Sequence, residues 1–269
     1  MEDQAPRWAR AGWALRVSSL LLPLFLALPL VSLVLRLDPR AWLEHVASPV
    51  ALRAFVLTLE TTAVATVLSA ALGLPLAWLL ARHRFRGSDV VDTLVALPVT
   101  IPPVVVGVAL LMAFGRQGLV GRAFDLLGIH VAFTSVAVVM AQMTIASPFF
   151  VRAARAGFEA VDPALEHAAL TLGASPWRVF WTVSVPLARP ALFAGLVLCW
   201  ARALSEFGAT MMFAGNFPGR TQTLSLAVMS AMESDLDTAV AVASLSLLLG
   251  LAALLVARGA ARRWWVAGG

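Results

Sequence analysis

An all-α bundle of six membrane spans is the fold this sequence predicts, and three observations carry that expectation. Of 269 residues, 60% are hydrophobic and 13% charged, more apolar surface than a single soluble core can cover, so lipid must solvate most of it. The apolar residues gather into six long runs separated by polar segments. All 20 basic residues are Arg, and most stand beside those runs, where insertion signals belong.

The runs follow in order. A polar tail over 1–16, with Arg7, Arg10 and Arg16, leads into a first run at 17–35. That run exceeds the ~7–15 residues of a signal-peptide core and no clear small-x-small cleavage site follows it, so it reads as a span. Residues 36–53 are mixed and polar, and 54–81 form the second span, ending at Arg82, Arg84 and Arg86. Ala65, Ser69 and Gly73 give that span one face of small residues suited to close helix contact. The third span, 90–114, contains Pro98, Pro102 and Pro103, and a Gly-rich connector over 115–130 precedes the fourth, 131–151. A loop over 152–190, a fifth span over 191–214, a polar loop over 215–237, a sixth span over 238–257 and a basic tail over 258–269 come next. No internal repeat or linker marks a second domain.

Six spans place both termini on one side. The tails and the loops on that side hold thirteen Arg, against six in the other loops, and because cytoplasmic loops carry the excess, both termini and the 152–190 loop are expected in the cytosol.

Composition also excludes chemistry. With no Lys, the chain has no Walker A phosphate loop and no Schiff-base lysine. Cys199, the single cysteine, allows no intrachain disulfide and reads as a small core thiol. His45, His83, His130 and His167 stand far apart without an i, i+4 partner, which argues against a metal site. Neither H-E-x-x-H nor a serine with a base at span depth is present, so an intramembrane enzyme has no support. The net charge of +5 is explained by span-flanking Arg and does not indicate nucleic acid.

Polar groups at membrane depth are the next candidates, since a charge there costs at least ~2.5–3.5 kcal/mol when unpaired. Arg202 and Glu206 stand at i and i+4 and can pair; a packing ion pair and a place on a permeation path both fit. Glu60 would answer Arg202 from span two or sit near the outer interface. Pro98, Pro102 and Pro103 remove three backbone donors from span three and must bend or break it, which is tolerated only against protein or a water-filled cavity. A pathway-lining helix and a kinked packing helix both remain, with Thr100 beside the prolines able to present its hydroxyl to a solute.

The stretch from Asp162 to Pro186 is the specific part of the chain. Asp162 suits an N-cap and Pro163 the first helical position, Leu165, Ala168, Ala169 and Leu172 share one face, and Gly173 can end the helix in the left-handed conformation. Ser175 and Pro176 repeat the start signal, Trp177, Phe180 and Trp181 form an apolar stripe, and Pro186 is expected to stop this second helix. On pattern alone this is either an amphipathic linker lying on the bilayer or a docking knob for another protein.

The spacing resembles the EAA loop of importer permeases of the ATP-binding-cassette class, whose pattern runs Glu-Ala-Ala, three residues, Gly, nine residues, Ile-x-Leu-Pro. Ala168, Ala169, Gly173, Val183, Val185 and Pro186 stand at the matching places. The family's Glu falls on His167, with Glu166 one residue earlier. The run from Ala201 to Leu224 is similar to a segment of molybdate permeases, with Glu206, Phe207, Gly208, Gly215, Asn216, Pro218, Gly219, Arg220 and Thr221 in position, as are Leu97-Pro98 and Pro102 to Val105. Sulfate permeases share much of this pattern.

The resemblance implies a multi-pass subunit of the bacterial inner membrane that moves molybdate, tungstate or sulfate and binds no cofactor itself, with ATP and magnesium held by a separate ATPase. Its implied partners are that ATPase, a periplasmic or lipid-anchored oxyanion-binding protein and a second copy of the chain. Glu166, His167, Ala168, Ala169, Gly173 and Pro186 would form the ATPase-coupling segment. Thr100, Pro102, Pro103, Arg202 and Glu206 are candidates for the pathway, and Asn216 and Arg220 for contact at the outer loop. An ion-coupled carrier using Glu60 and Glu206 as proton sites is the rival expectation.

Overall fold

A computed structural model describes residues 7–83 and 85–267, and every regular element among the described residues is helical. The first helix, α1 (Arg7–Leu35), begins inside the segment expected as a polar tail, because Arg, Ala and Leu are good helix formers and charge alone does not end a helix. The helix α2 (Pro39–Val46) is capped by Asp38, whose carboxylate accepts the Arg40 N–H at 3.1 Å. Next, α3 (Pro49–Arg82) starts at a Ser48 cap with Pro49 at its first position, five residues before the hydrophobic run read as 54–81. Along it Thr58, Thr61, Thr62 and Thr66 each donate a hydroxyl hydrogen bond to a carbonyl one turn back, so these polar side chains need no water at depth.

The third apolar run is broken. Here α4 (Ser88–Thr100) and α5 (Pro103–Phe114) meet at a bend of 118°, since Pro102 and Pro103 offer no N–H to continue the first helix and Pro103 suits the start of the second. A short α6 (Gly121–Leu126) leads to α7 (Ser135–Glu159), α8 (Pro163–Thr171) and α9 (Pro176–Val179).

Two expectations fail at the next element. Pro186 does not stop the helix, and the fifth span is not 191–214. A five-residue π-helical turn, Phe180–Ser184, joins α9 to α10 (Val185–Leu204), so one apolar helix runs over Pro176–Leu204. The wide turn lets the Val185 N–H reach the Phe180 carbonyl, five residues back, and the shifted register absorbs the donor that Pro186 lacks. The helix then ends at Leu204, and the residues expected to continue it fold separately as α11 (Gly208–Ala214). Beyond the following loop lie α12 (Leu224–Met232) and α13 (Leu236–Ala267). Five described helices are long and apolar enough to cross a membrane, or six when α4 and α5 count as one span.

The packing centre is α7, with α3 along one side and α10 along the other. Small residues permit this: Ala137, Ala141, Ala146 and Ala154 are wholly buried. A Cβ added at Gly73 would stand 2.9 Å from Val151, and one at Gly195 2.9 Å from Ala153. Without a hydrophobic drive between helices in lipid, such close backbone approach is what holds them. The apolar side chains left outside, Leu24, Phe25 and Leu28 of α1 among them, face the solvent that suits them in a bilayer.

Candidate functional site

The first cluster is built at the α8 end. Asp162 accepts the Ala164 N–H at 2.9 Å and starts α8, and Gly173 ends it at φ +87°, with the Ala174 N–H bonded to the Ala169 carbonyl. The helix is inside out. Its buried residue is Glu166, while Leu165, Leu170 and Leu172 are exposed, Leu172 at 89%. Glu166 turns inward to Arg82 at the end of α3, taking Arg82 Nε at 2.8 Å and Nη2 at 3.0 Å. Both side chains are about 10% exposed. Ser184, in the π-helical turn, donates to the same carboxylate at 2.6 Å, and Arg82 also donates to the Val161 carbonyl at 2.9 Å, between α7 and α8. Thus α3, α8 and the start of α10 meet at one carboxylate.

Of the residues expected in this segment, His167, Ala168 and Gly173 are exposed, Ala169 and Pro186 are half-buried, and Glu166 alone is withdrawn into the chain. Sequence reasoning missed Arg82 and Ser184, which read as a span-flanking charge and an ordinary serine. Beside Arg82 opens a polar cavity of about 910 Å³, across whose wall Arg155 pairs with Asp92 at 3.0 Å and with Glu159 at 2.8 Å.

The second cluster lies where two broken helices meet. Gly208, at the start of α11, has space for a Cβ only 3.2 Å from Pro103, so the break between α10 and α11 rests against the break between α4 and α5. One turn along, a Cβ on Gly107 would stand 2.7 Å from the Ala209 carbonyl oxygen and 2.8 Å from Met212 Cβ. Arg202 and Glu206 do pair, at 3.0 Å. Glu206 is 1% exposed and its other oxygen accepts the Ala209 N–H at 2.8 Å, which starts α11. Arg202 also donates to Ser205 Oγ at 3.2 Å and keeps a quarter of its side chain exposed. The carboxylate's buried position is tolerated because both of its oxygens are occupied. Pro102 and Thr100 are exposed at the break, the Thr100 hydroxyl donating to its own helix at 2.9 Å, and Pro103 is half-buried. Glu60 is exposed on α3 and does not answer Arg202.

In the loop after α11, Gly215 and Gly219 take positive φ of 73° and 74°. Asn216 is spent inside the loop, donating to Ser230 at 2.8 Å and accepting from Gln222 at 3.0 Å. Arg220 faces outward and lines a cavity of about 380 Å³ with Arg116, Asp125 and His130, the last two 3.0 Å apart. At the start of α13, the Thr238 hydroxyl and N–H hold the Asp235 carboxyl below the ordinary carboxylate value. Among the described residues, no group of three or more His, Cys, Asp or Glu is placed to hold a metal ion.

A helical bundle with several membrane spans, two opposed helix breaks and a projecting helix that shows its apolar side outward defines a class: a multi-pass membrane permease subunit. More particularly, residues 73–266 match the family of binding-protein-dependent transport system inner membrane components, and the chain belongs to it. The chain is 43% identical to the molybdenum transport system permease protein of Mycobacterium bovis over 89% of each chain. It is 40% identical to the protein of that name in Escherichia coli, over 78% of this chain and 93% of the relative. A probable sulfate transport system permease protein of Zygnema circumcarinatum is 36% identical over 87% of this chain and 82% of its own. The fold is shared with a chain of a bacterial transporter that imports the acidic polysaccharide alginate, at 18% identity and a TM-score of 0.74, over 95% of this chain and 98% of that one. A second structure of such a transporter, in complex with an alginate pentasaccharide-bound periplasmic protein, also gives 0.74, over 96% and 97%.

Proposed function

We propose that this permease is the membrane-spanning subunit of an ATP-driven importer of molybdate or a related tetrahedral oxyanion. A separate ATPase would supply the energy with its own ATP and magnesium, and a periplasmic or lipid-anchored binding protein would deliver the anion. The observation that carries the substrate class is the 43% identity across 89% of the chain to a molybdenum transport permease. Likeness to a sulfate permease keeps sulfate and tungstate as alternative cargo.

Coupling is assigned to the outward face of α8. A helix that exposes Leu165, Leu170 and Leu172 while burying Glu166 has the polarity of a docking element, since an apolar face outside the lipid calls for a protein partner. On this reading α8 lies in the cytosol, with both termini on that side, and His167, Ala168, Ala169 and Gly173 belong to the surface the ATPase meets. A second copy of the chain would complete the pathway. In support, the Ser18–Leu35 stretch of α1 buries none of its residues within this chain and touches α13 only lightly. Arg220 would meet the binding protein or attract the anion from the outer loop.

The test is uptake of radiolabelled molybdate by proteoliposomes holding the permease with its ATPase and binding protein, competed with tungstate and sulfate. ATP-dependent uptake that needs both partners is the expected result. Uptake that ignores ATP but follows a pH gradient would instead favour an ion-coupled carrier.

A further inference from the structure

The tie between Arg82 and Glu166 has a reach that its local geometry does not show. Nearer its middle, α3 is fastened again. The Thr58 hydroxyl accepts the Leu224 N–H at 2.8 Å, at the start of α12, and the Thr62 hydroxyl accepts the Trp200 indole N–H at 3.1 Å. Trp200 stands two residues before Arg202, next to the break between α10 and α11. Thr62 and Arg82 are twenty residues apart on one helix, about 30 Å at the α-helical rise.

We infer that Arg82 and Glu166 are positioning residues that lock α3 to α8, so that α3 carries movement of α8 to the Arg202–Glu206 break. This rests on the importer reading above and deepens it. Three features favour α3 over the direct chain route through residues 172–175. The pair is bidentate and sequestered from water, and a doubly hydrogen-bonded guanidinium and carboxylate resist reorientation more than a single contact. Arg82 also grips the Val161 carbonyl between α7 and α8, so α3 is held to both ends of the turn that leads into α8. The direct route, by contrast, crosses an exposed turn at Leu172 and Gly173. Pro75 interrupts the hydrogen-bond ladder of α3, but Gly73 presses the helix on Phe150 and Val151 of α7 at that level, which keeps the two helices moving together.

Spatial connection alone does not establish coupling, so the experiment measures it. In the complete complex with ATPase and binding protein, the readout is ATP hydrolysed per radiolabelled molybdate carried. For Glu166→Gln that ratio is expected to rise about tenfold per assembled complex, inside the ~5–150-fold range of linked sites, and Glu166→Asp is expected to restore most of it. Thr62→Val is expected to raise the ratio as well, and the double variant to be no worse than the poorer single one, as two cuts in one line should be. A normal ratio in Glu166→Gln overturns the inference. So does lower assembly with an unchanged ratio, which would make the pair merely structural, and so do single effects that multiply in the double variant. If Glu166→Gln does not assemble, Arg82→Lys, which keeps the charge and loses the bidentate grip, is held to the same criteria. Failure of the unsubstituted complex to transport would instead sink the importer reading.

Discussion

Two arginine–glutamate pairs fix the two ends of this bundle, and they are built differently. Arg202 and Glu206 lie one helical turn apart, and Arg202 keeps a quarter of its side chain exposed. Arg82 and Glu166 come from residues 84 apart in the chain, both nearly sequestered and shared with Ser184 and the Val161 carbonyl. The first pair caps a helix at a break, and the second joins separate elements. A local pair sets local shape, whereas a long-range buried pair makes distant segments move together.

The comparison breaks most sharply on removing each arginine. Arg82→Ala should strand the Glu166 carboxylate and cost about 3–5 kcal/mol, the range for an uncompensated buried charge, read as a fall in detergent thermal stability; an unchanged melting temperature would place water where the pair is drawn. Arg202→Ala should cost a similar amount, because Glu206 is 1% exposed and keeps only the Ala209 N–H, as Glu166 keeps only Ser184. The two variants should differ in what melts: loss of Arg82 should loosen α3 from α8, whereas loss of Arg202 should affect only the turn into α11. A smaller contrast uses the glycines. Gly173→Ala meets nothing within 4 Å but must hold φ +87°, about 1–2 kcal/mol of backbone strain, and should leave assembly of the bundle intact. Gly107→Ala clashes with the Ala209 backbone instead, an overpacking of about 1–3 kcal/mol, so transport should suffer more from it than from any change in melting.

The mildest effect sharpens the picture of the outer end. Because hydrogen bonds from Thr238 hold the Asp235 carboxyl below its ordinary value of 3.8, its cap stabilises the fold above that pH and is lost as pH falls through the lower folded value. Wild type and Asp235→Asn should differ in melting temperature at neutral pH, and the difference should shrink below pH 3.8 and vanish only below the lowered folded value. A difference that persists in strong acid would remove Asp235 as its cause.

Much of this was legible from residues close in sequence. Asp162-Pro163 and Gly173 marked both ends of α8, Pro102 and Pro103 marked the break in the third run while Pro98 sits inside α4, and the i, i+4 spacing gave the Arg202–Glu206 pair. Pro186 read as a stop because a proline removes one donor, yet the π-helical turn before it changes the register and lets the helix continue. Leu165 and Leu172 share one face in the sequence; Arg82 draws Glu166 in and leaves that face outward.

By itself, the sequence determined the class of solvent, the helical character and the location of caps and breaks, because hydropathy, proline geometry and helix capping act over one or two turns. Only the tertiary structure decided which way α8 faces, that the two breaks touch, and that α3 is pinned at Arg82 and again at Thr58 and Thr62. Those depend on Arg82 meeting Glu166 and on Trp200 meeting Thr62, pairs whose sequence separation leaves no periodic trace, since their energies arise from desolvation and hydrogen bonding that exist only once the helices have packed.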